Sequence, residues 1–188
     1  MSLAWLPNAL CIARMLLVVP TTLALLAGRY ELTLLLFGVA AISDGLDGWL
    51  AKTFGWTSRL GKILDPSADK LLLVTVFVTL TWIGLVPAWL TATVVLRDVA
   101  IVGGAIAYRL LIGYVEGHPT PVSKLNTLVQ ILFVLVAVAA AAWRTVPAAL
   151  VATLGAAAFV TTVVSGLNYV VTYARDAWRT GRASSRAR

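Results

Sequence analysis

Long uncharged apolar runs are the feature of this chain that most limits its possible folds. The stretch from Leu71 to Leu80 is one such run, and similar runs recur along the 188 residues. A helix that crosses a bilayer needs about 20 mostly apolar residues. Because lipid offers no partner for unpaired backbone groups, and because the runs lack the alternation of barrel strands, helices are the expected structure.

Six such segments predict an all-α integral membrane protein with six transmembrane helices. Only 12% of the residues are charged, about half the density of a soluble domain, which argues against a very apolar soluble helical protein. We expect one domain over residues 1–180 and a basic, disordered tail over 181–188. The approximate bounds of the spans are 8–26, 32–50, 68–86, 88–112, 124–143 and 148–173.

The distribution of Lys and Arg predicts that both termini are cytoplasmic. In that orientation only Arg29 and Arg144 lie outside. The net charge of +7 then points to anionic lipid head groups rather than to nucleic acid. With no cleavable signal or transit peptide in evidence, we expect a bacterial plasma (inner) membrane. The inner basic residues are Lys52, Arg59, Lys62, Lys70, Arg109, Lys124, Arg175, Arg179, Arg182, Arg186 and Arg188.

Four of the eight acidic residues lie between positions 44 and 69. Asp44 and Asp47 are three residues apart and Asp65 and Asp69 are four apart, so each pair shares a helix face. A short basic inner loop joins the two helices, which lets all four carboxylates meet near the cytoplasmic interface. They would repel one another without a cation, and Mg²⁺ prefers such oxygen ligands together with substrate phosphates.

Two structural alternatives remain open within this stretch. Asp65 before Pro66 is also the pattern of a helix N-cap followed by a proline in the first turn. Gly45, Gly48 and Ala51 recur every three residues, which suits close helix packing as well as the approach of a nucleotide to the backbone. Their position among the aspartates favours the nucleotide.

The residues from Asp44 to Asp69 spell D-x-x-D-G-x-x-A-K-x₈-G-x₃-D-x₃-D. This pattern closely resembles the signature of the CDP-alcohol phosphatidyltransferase family, whose members also have six spans and a similar length. The family normally has arginine where this chain has Lys52. A lysine is a point charge and cannot make the forked phosphate contact of arginine. The resemblance also implies a homodimer.

The resemblance implies a metal-dependent transferase with two Mg²⁺ or Mn²⁺ ions per site. In this family Asp44, Asp47 and Asp65 would bind metal. Asp69 would help to bind metal and would act as general base toward the acceptor hydroxyl. The residues that the resemblance places around the cytidine nucleotide are Asp44, Gly48, Ala51 and Lys52.

Four further polar residues are candidates for recognising the acceptor phosphate: Arg14, Arg97, Lys124 and Asn126. A charge at mid-bilayer costs about 2.5–3.5 kcal/mol, so Arg14 and Arg97 are expected to face a polar cavity. Arg97 and Asp98 point in different directions on a helix, so we do not expect a simple mutual pair. Lys124 is equally able to snorkel to the interface from the end of a span.

The stretches 96–99 (Leu-Arg-Asp-Val) and 123–130 resemble those of the family's cardiolipin synthases. That resemblance implies CDP-diacylglycerol as donor, phosphatidylglycerol as acceptor, and cardiolipin and CMP as products. The close alternative is a phosphatidylglycerophosphate synthase, which would use glycerol 3-phosphate. Two other classes stay open: a divalent-cation transporter, for which no internal repeat is visible, and a structural membrane protein, which leaves the aspartates unexplained.

Overall fold

The computed structural model of the chain describes residues 6–54, 61–111, 121–143 and 145–186, and side chains within 12–43, 70–104, 121–143, 145–169 and at Val171. Over these residues the protein is all-helical, as predicted. The six helices are α1 (Leu6–Leu26), α2 (Tyr30–Phe54), α3 (Gly61–Trp82), α4 (Ala88–Leu111), α5 (Pro121–Ala142) and α6 (Ala148–Arg186).

Two helix boundaries differ from the sequence prediction. Helix α3 begins at Gly61, so Asp65 lies inside the helix and the N-cap interpretation of this residue is wrong. Pro66 is the sixth residue of α3, where it removes one backbone hydrogen bond of the helix. Helix α6 continues to Arg186 and so extends into the segment 181–188, which the sequence predicts to be a tail. Extending an existing helix adds one hydrogen bond per residue, and Ala and Arg favour the helix.

Glycines end the helices on one side of the bundle. Gly28 follows α1 with a φ of 70°, and Gly84 follows α3 with a φ of 78°. After Gly28 the amide of Arg29 donates to the carbonyl of Ala24 at 2.9 Å, and the corresponding bond after Gly84 measures 2.8 Å. Glycine adopts this left-handed conformation without steric cost, which lets the chain reverse within a few residues.

The six helices pack as a closed ring in the order α3, α1, α2, α5, α6, α4, with α4 returning to α3. The contact between α3 and α4 is smaller than the other contacts around the ring. Each half of the chain is therefore a three-helix block, with α1 in the middle of the first and α6 in the middle of the second. The two blocks meet where α2 packs on α5 and where α3 packs on α4.

The interior of the ring changes in polarity along its length. Toward the tight turns that follow α1, α3 and α5 it is mostly apolar, with a few buried threonines such as Thr79 and Thr91. Phe77 and Phe133 are 2% exposed or less there, and their ring centroids lie 5.9 Å apart. Toward the other end the buried side chains include Arg97, Asn126 and Gln130. The apolar half forms the packed core, and the polar half lies on the side where α2 ends and α3 begins.

The outer surface of the bundle is strongly apolar. Among the described residues, Pro121–Ala142 and Ala148–Tyr169 are long and apolar enough to cross a membrane. Large apolar side chains are also exposed on every helix, a surface that does not suit water. One example from each helix is Leu16, Leu35, Val78, Leu96, Leu128 and Leu167, which are 48–70% exposed.

Candidate active site

The four aspartates lie on helices that both pack against α1. Asp44 and Asp47 are in the last three turns of α2, and Asp65 and Asp69 are in the first three turns of α3. These turns are at the polar end of the ring, away from Gly28 and Gly84. The carboxylates themselves lie outside the described side chains, and so do the side chains of the predicted nucleotide residues. Those residues, Gly48, Ala51 and Lys52, are in the same turns of α2.

The four aspartate carboxylates are the type of ligand that a hard divalent cation prefers. They lie at helical spacings of three and four residues, on two helices that approach the same end of the ring. Among the side chains that the structure does describe, no three His, Cys, Asp or Glu residues form a group that could hold a metal ion. The aspartates of α2 and α3 therefore remain the predicted ligands.

Arg14 lies on α1, the helix between the two that carry the aspartates. Its side chain is among the most deeply buried, with 1% exposure, as expected for a charge that avoids lipid. Helix α1 packs against both α2 and α3, so Arg14 lies on the helix between those that carry the two acidic pairs. That Arg14 faces a polar cavity and recognises the acceptor stays a prediction.

The side chain of Arg97, on α4, makes contacts with α5 and α6. Its Nη2 donates to Ser123 Oγ of α5 at 2.6 Å and to Ser165 Oγ of α6 at 2.7 Å. Its guanidinium also lies over the ring of Tyr169 of α6, 5.9 Å from the centroid. With 6% exposure, Arg97 is buried among these partners and joins α4 to α5 and α6.

Arg97 and Asp98 also pair with each other, so the prediction that they do not is wrong. Nη1 of Arg97 donates to Oδ1 of Asp98 at 2.5 Å. The backbone spacing does separate adjacent residues around a helix, but the long arginine side chain curls back across that angle. The same Asp98 oxygen accepts from Nζ of Lys70 on α3 at 3.0 Å. Lys70 directly follows Asp69, so this chain of ion pairs begins beside the predicted general base.

Asn126 belongs to a buried network between α5 and α6. Its Oδ1 accepts from Thr161 Oγ1 and from Thr162 Oγ1, each at 2.9 Å. Nε2 of Gln130 donates to Thr162 Oγ1 at 2.9 Å. Asn126 is fully buried, and its Nδ2 has no hydrogen-bond partner among the described residues. Lys124, two residues earlier, is exposed.

The structure thus brings two of the four predicted acceptor residues, Arg97 and Asn126, into one polar zone between α4, α5 and α6. Sequence reasoning missed the hydroxyl and amide partners that complete this zone. A signal for them exists, because the polar residues recur at i, i+3 and i+7 on both α5 and α6, which places them on one helix face. They are Ser123, Asn126 and Gln130 on α5 and Thr162, Ser165 and Tyr169 on α6.

Comparison with known proteins agrees with the pattern of aspartates. The sequence model of the family described as CDP-alcohol phosphatidyltransferase matches residues 4–174. A probable cardiolipin synthase (CMP-forming) of Drosophila melanogaster is 30% identical over 181 residues, which cover 88% of this chain and 56% of the relative. The human cardiolipin synthase (CMP-forming) is 31% identical over 150 residues, 71% of this chain and 50% of the relative.

A third relative carries a different name. A probable phosphatidylglycerophosphate synthase of Mycobacterium tuberculosis is 32% identical over 144 residues, which cover 75% of this chain and 65% of the relative. The chain spans about half the length of the fly and human relatives. The family match extends over all six helices, from α1 into α6, and includes the aspartate pattern of α2 and α3. The chain belongs to the CDP-alcohol phosphatidyltransferase family.

Proposed function

We propose that this protein transfers a phosphatidyl group from CDP-diacylglycerol to phosphatidylglycerol, giving cardiolipin and CMP. The observation that carries the proposal is the complete pattern of four aspartates, with Asp44 and Asp47 on α2 and Asp65 and Asp69 on α3. Relatives named cardiolipin synthase (CMP-forming) support the choice of acceptor.

In the proposed reaction the acceptor hydroxyl oxygen attacks the lipid-side phosphorus of CDP-diacylglycerol. A new phosphorus–oxygen bond forms, the bond to CMP breaks, and the hydroxyl proton passes to the carboxylate of Asp69. Asp44, Asp47 and Asp65, with Asp69, would hold two Mg²⁺ or Mn²⁺ ions. Such ions would position the pyrophosphate and offset the charge that develops on the leaving CMP.

We assign the cytidine nucleotide to the last turns of α2. Gly48 and Ala51 leave little side-chain volume on this helix, which lets a nucleotide approach the backbone. Lys52 supplies a positive charge for a phosphate at the same end. These positions share the turns that carry Asp44 and Asp47, so donor binding and metal binding would use one part of the molecule.

We assign acceptor recognition to the basic and amide residues at the polar end of the ring. Lys124 is exposed and can reach a phosphate directly. Arg14, Arg97 and Asn126 are buried, and they make the interior polar at the depth where the acceptor head group would enter. A phosphodiester such as phosphatidylglycerol and a phosphomonoester such as glycerol 3-phosphate could both use this set. The mycobacterial relative makes phosphatidylglycerophosphate synthase the second candidate.

We propose that all six helices cross the membrane, with the aspartates at the cytoplasmic face of a bacterial plasma membrane. Exposed apolar residues on every helix support six spans, because a lipid environment would cover the whole circumference. Trp82, Trp89 and Trp143 are 49–85% exposed and lie beside the tight turns, at the end opposite to the aspartates. Tryptophans favour the membrane interface, so this end would lie at the outer head groups. The excess of Lys and Arg near the other end supports a cytoplasmic active site.

The decisive test is CMP release by purified protein in detergent with CDP-diacylglycerol and Mg²⁺. Phosphatidylglycerol and glycerol 3-phosphate are offered in turn, and the lipid product is identified. We expect cardiolipin, and no CMP release after chelation of divalent cations. Turnover with glycerol 3-phosphate alone would keep the reaction and change the acceptor. Chemical cross-linking in the native membrane tests the homodimer that the family resemblance implies.

A further inference from the structure

The ion-paired residues Lys70, Asp98 and Arg97 connect the helix of the predicted general base to three other helices. Lys70 is on α3, Asp98 and Arg97 are on α4, and Arg97 continues to Ser123 of α5 and Ser165 of α6. Asp69 precedes Lys70 directly, and Asp65 lies one turn earlier. The connection therefore starts next to two of the predicted metal ligands.

The bond between Lys70 and Asp98 joins α3 to α4, the two helices with the smallest contact around the ring. Helix α3 packs extensively on α1 but only over a smaller contact on α4. The side-chain hydrogen bonds found between α3 and α4 in the described part of the chain lie at two levels. One level is near the tight turn, where Thr91 contacts Thr81 and the carbonyl of Phe77. The other is the bond from Lys70 to Asp98, about three turns from Thr81 along α3 and about two turns from Thr91 along α4.

The guanidinium of Arg97 is turned toward protein groups. Nη2 makes two hydrogen bonds and Nη1 makes one, and the remaining nitrogen, Nε, is buried without a partner in the described structure. The side chain is 5% exposed. Protein groups thus engage three of the five N–H donors of this buried guanidinium.

We propose that Lys70, Asp98 and Arg97 are positioning residues, which fix the amino-terminal turns of α3, and with them Asp65 and Asp69, against α4, α5 and α6. This inference rests on the proposed function for its kinetic consequence. Arg97 orients Asp98, and Asp98 holds Lys70. Reactions of this kind depend on the placement of the base, and an error of about 1 Å can cost about 100-fold in rate.

Lys70→Gln is the most informative change. The Lys70 side chain is 38% exposed, so its loss leaves no buried charge, and the buried pair of Arg97 and Asp98 stays intact. Removing Asp98 instead would leave the buried Arg97 without its ion pair and could prevent folding. Leu71→Ala serves as the control, because Leu71 is the next residue on α3 and is 48% exposed.

The experiment measures kcat and KM for CDP-diacylglycerol and for the acceptor, by CMP release, in the unmutated protein, K70Q, Lys70→Arg and Leu71→Ala. We expect kcat of K70Q to fall about 10- to 100-fold with less change in either KM. Lys70→Arg, which keeps the ion pair, should recover most of the rate, and Leu71→Ala should match the unmutated protein. A raised KM with unchanged kcat in K70Q would overturn the inference in favour of direct ligand binding, and unchanged kinetics would also overturn it.

Amide hydrogen exchange over residues 61–69 separates this inference from the proposed function. If the unmutated protein releases no CMP with any acceptor, the proposed function fails, but the exchange measurement still decides the positioning role. Faster exchange over 61–69 in K70Q than in Leu71→Ala would support the inference. Equal exchange in the two variants would overturn it.

Discussion

The side-chain oxygens of Thr81 and Thr91 lie 2.6 Å apart and join α3 to α4 beside the turn that connects them. Thr91 Oγ1 also lies 3.3 Å from the carbonyl of Phe77, to which it donates. Either hydroxyl can be the donor in the bond between the two threonines. Hydroxyl pairs of this kind act between helices where apolar packing alone gives little specificity.

We expect Thr91→Val and Thr81→Val to lower the free energy of unfolding, with a coupling energy of about 0.6 kcal/mol and at most about 1.7 kcal/mol. A double-mutant cycle, followed by denaturant titration in mixed micelles, measures this coupling. Thr93→Val is the control, because Thr93 is half-exposed and, among the described residues, its hydroxyl bonds only to the carbonyl of Trp89 in its own helix. Strictly additive effects of the two variants would contradict the prediction.

Neutralising the predicted general base should abolish most of the activity. We expect Asp69→Asn to reduce CMP release by about 10²- to 10⁴-fold, because the amide cannot accept the acceptor proton. Glu31→Gln is a matched loss of one carboxylate at the opposite end of the bundle, where Glu31 accepts a bond of 3.1 Å from Trp143 Nε1. It should retain full activity. Equal losses in both variants would indicate a general effect on folding.

Lys52 is the one departure from the family pattern, and its replacement tests the donor site. Arginine at this position offers a forked contact to phosphate, so we expect Lys52→Arg to lower the KM for CDP-diacylglycerol by about 2- to 10-fold, the value of one additional hydrogen bond. Lys52→Gln should raise this KM, since it removes the charge. An increase of KM in the arginine variant would mean that the site is shaped for lysine.

Two glycine substitutions should differ because of their neighbours. A Cβ added to Gly38 meets no atom within 4 Å, whereas one added to Gly155 would lie 3.2 Å from Cε2 of Phe133. Alanine gains up to about 1 kcal/mol over glycine in a helix, but the buried Phe133 packs against Phe77 and cannot shift without cost. We expect Gly155→Ala to be less stable than Gly38→Ala by about 1 kcal/mol or more. Thermal unfolding in one detergent compares them, and equal midpoints would contradict the steric argument.

The helices could be predicted from the sequence because the apolar runs are long and their ends carry Gly, Pro or charge. The prediction failed at two places where a rule based on adjacent residues was outweighed by another effect. Asp65 and Pro66 resemble a helix start, yet α3 begins at Gly61 because polar residues also continue a helix. Arg97 and Asp98 diverge by backbone geometry, yet the length of the arginine side chain lets them pair.

The sequence predicts the chemistry of the candidate site but not the residues that pack around it. Four carboxylates at fixed spacing indicate a cation whatever the fold around them. The role of Ser165 could not be read from one helix, because its meaning depends on Arg97 of another helix, 68 residues away in sequence. Contacts of this kind are set by the order of helices around the ring, which hydropathy does not encode.

The two three-helix blocks of the ring carry different groups of the predicted site residues. The four predicted metal ligands, Asp44, Asp47, Asp65 and Asp69, belong to the block of α1, α2 and α3. Three of the four proposed acceptor residues, Arg97, Lys124 and Asn126, belong to the block of α4, α5 and α6, and the fourth, Arg14, is on α1. Only the short turn at 83–87 joins the two blocks covalently. Selection for a different acceptor alcohol can therefore change the second block while the first block keeps the residues proposed to bind the nucleotide. A chimaera joined at this turn should take its acceptor specificity from the parent of the second block and its donor specificity from the parent of the first.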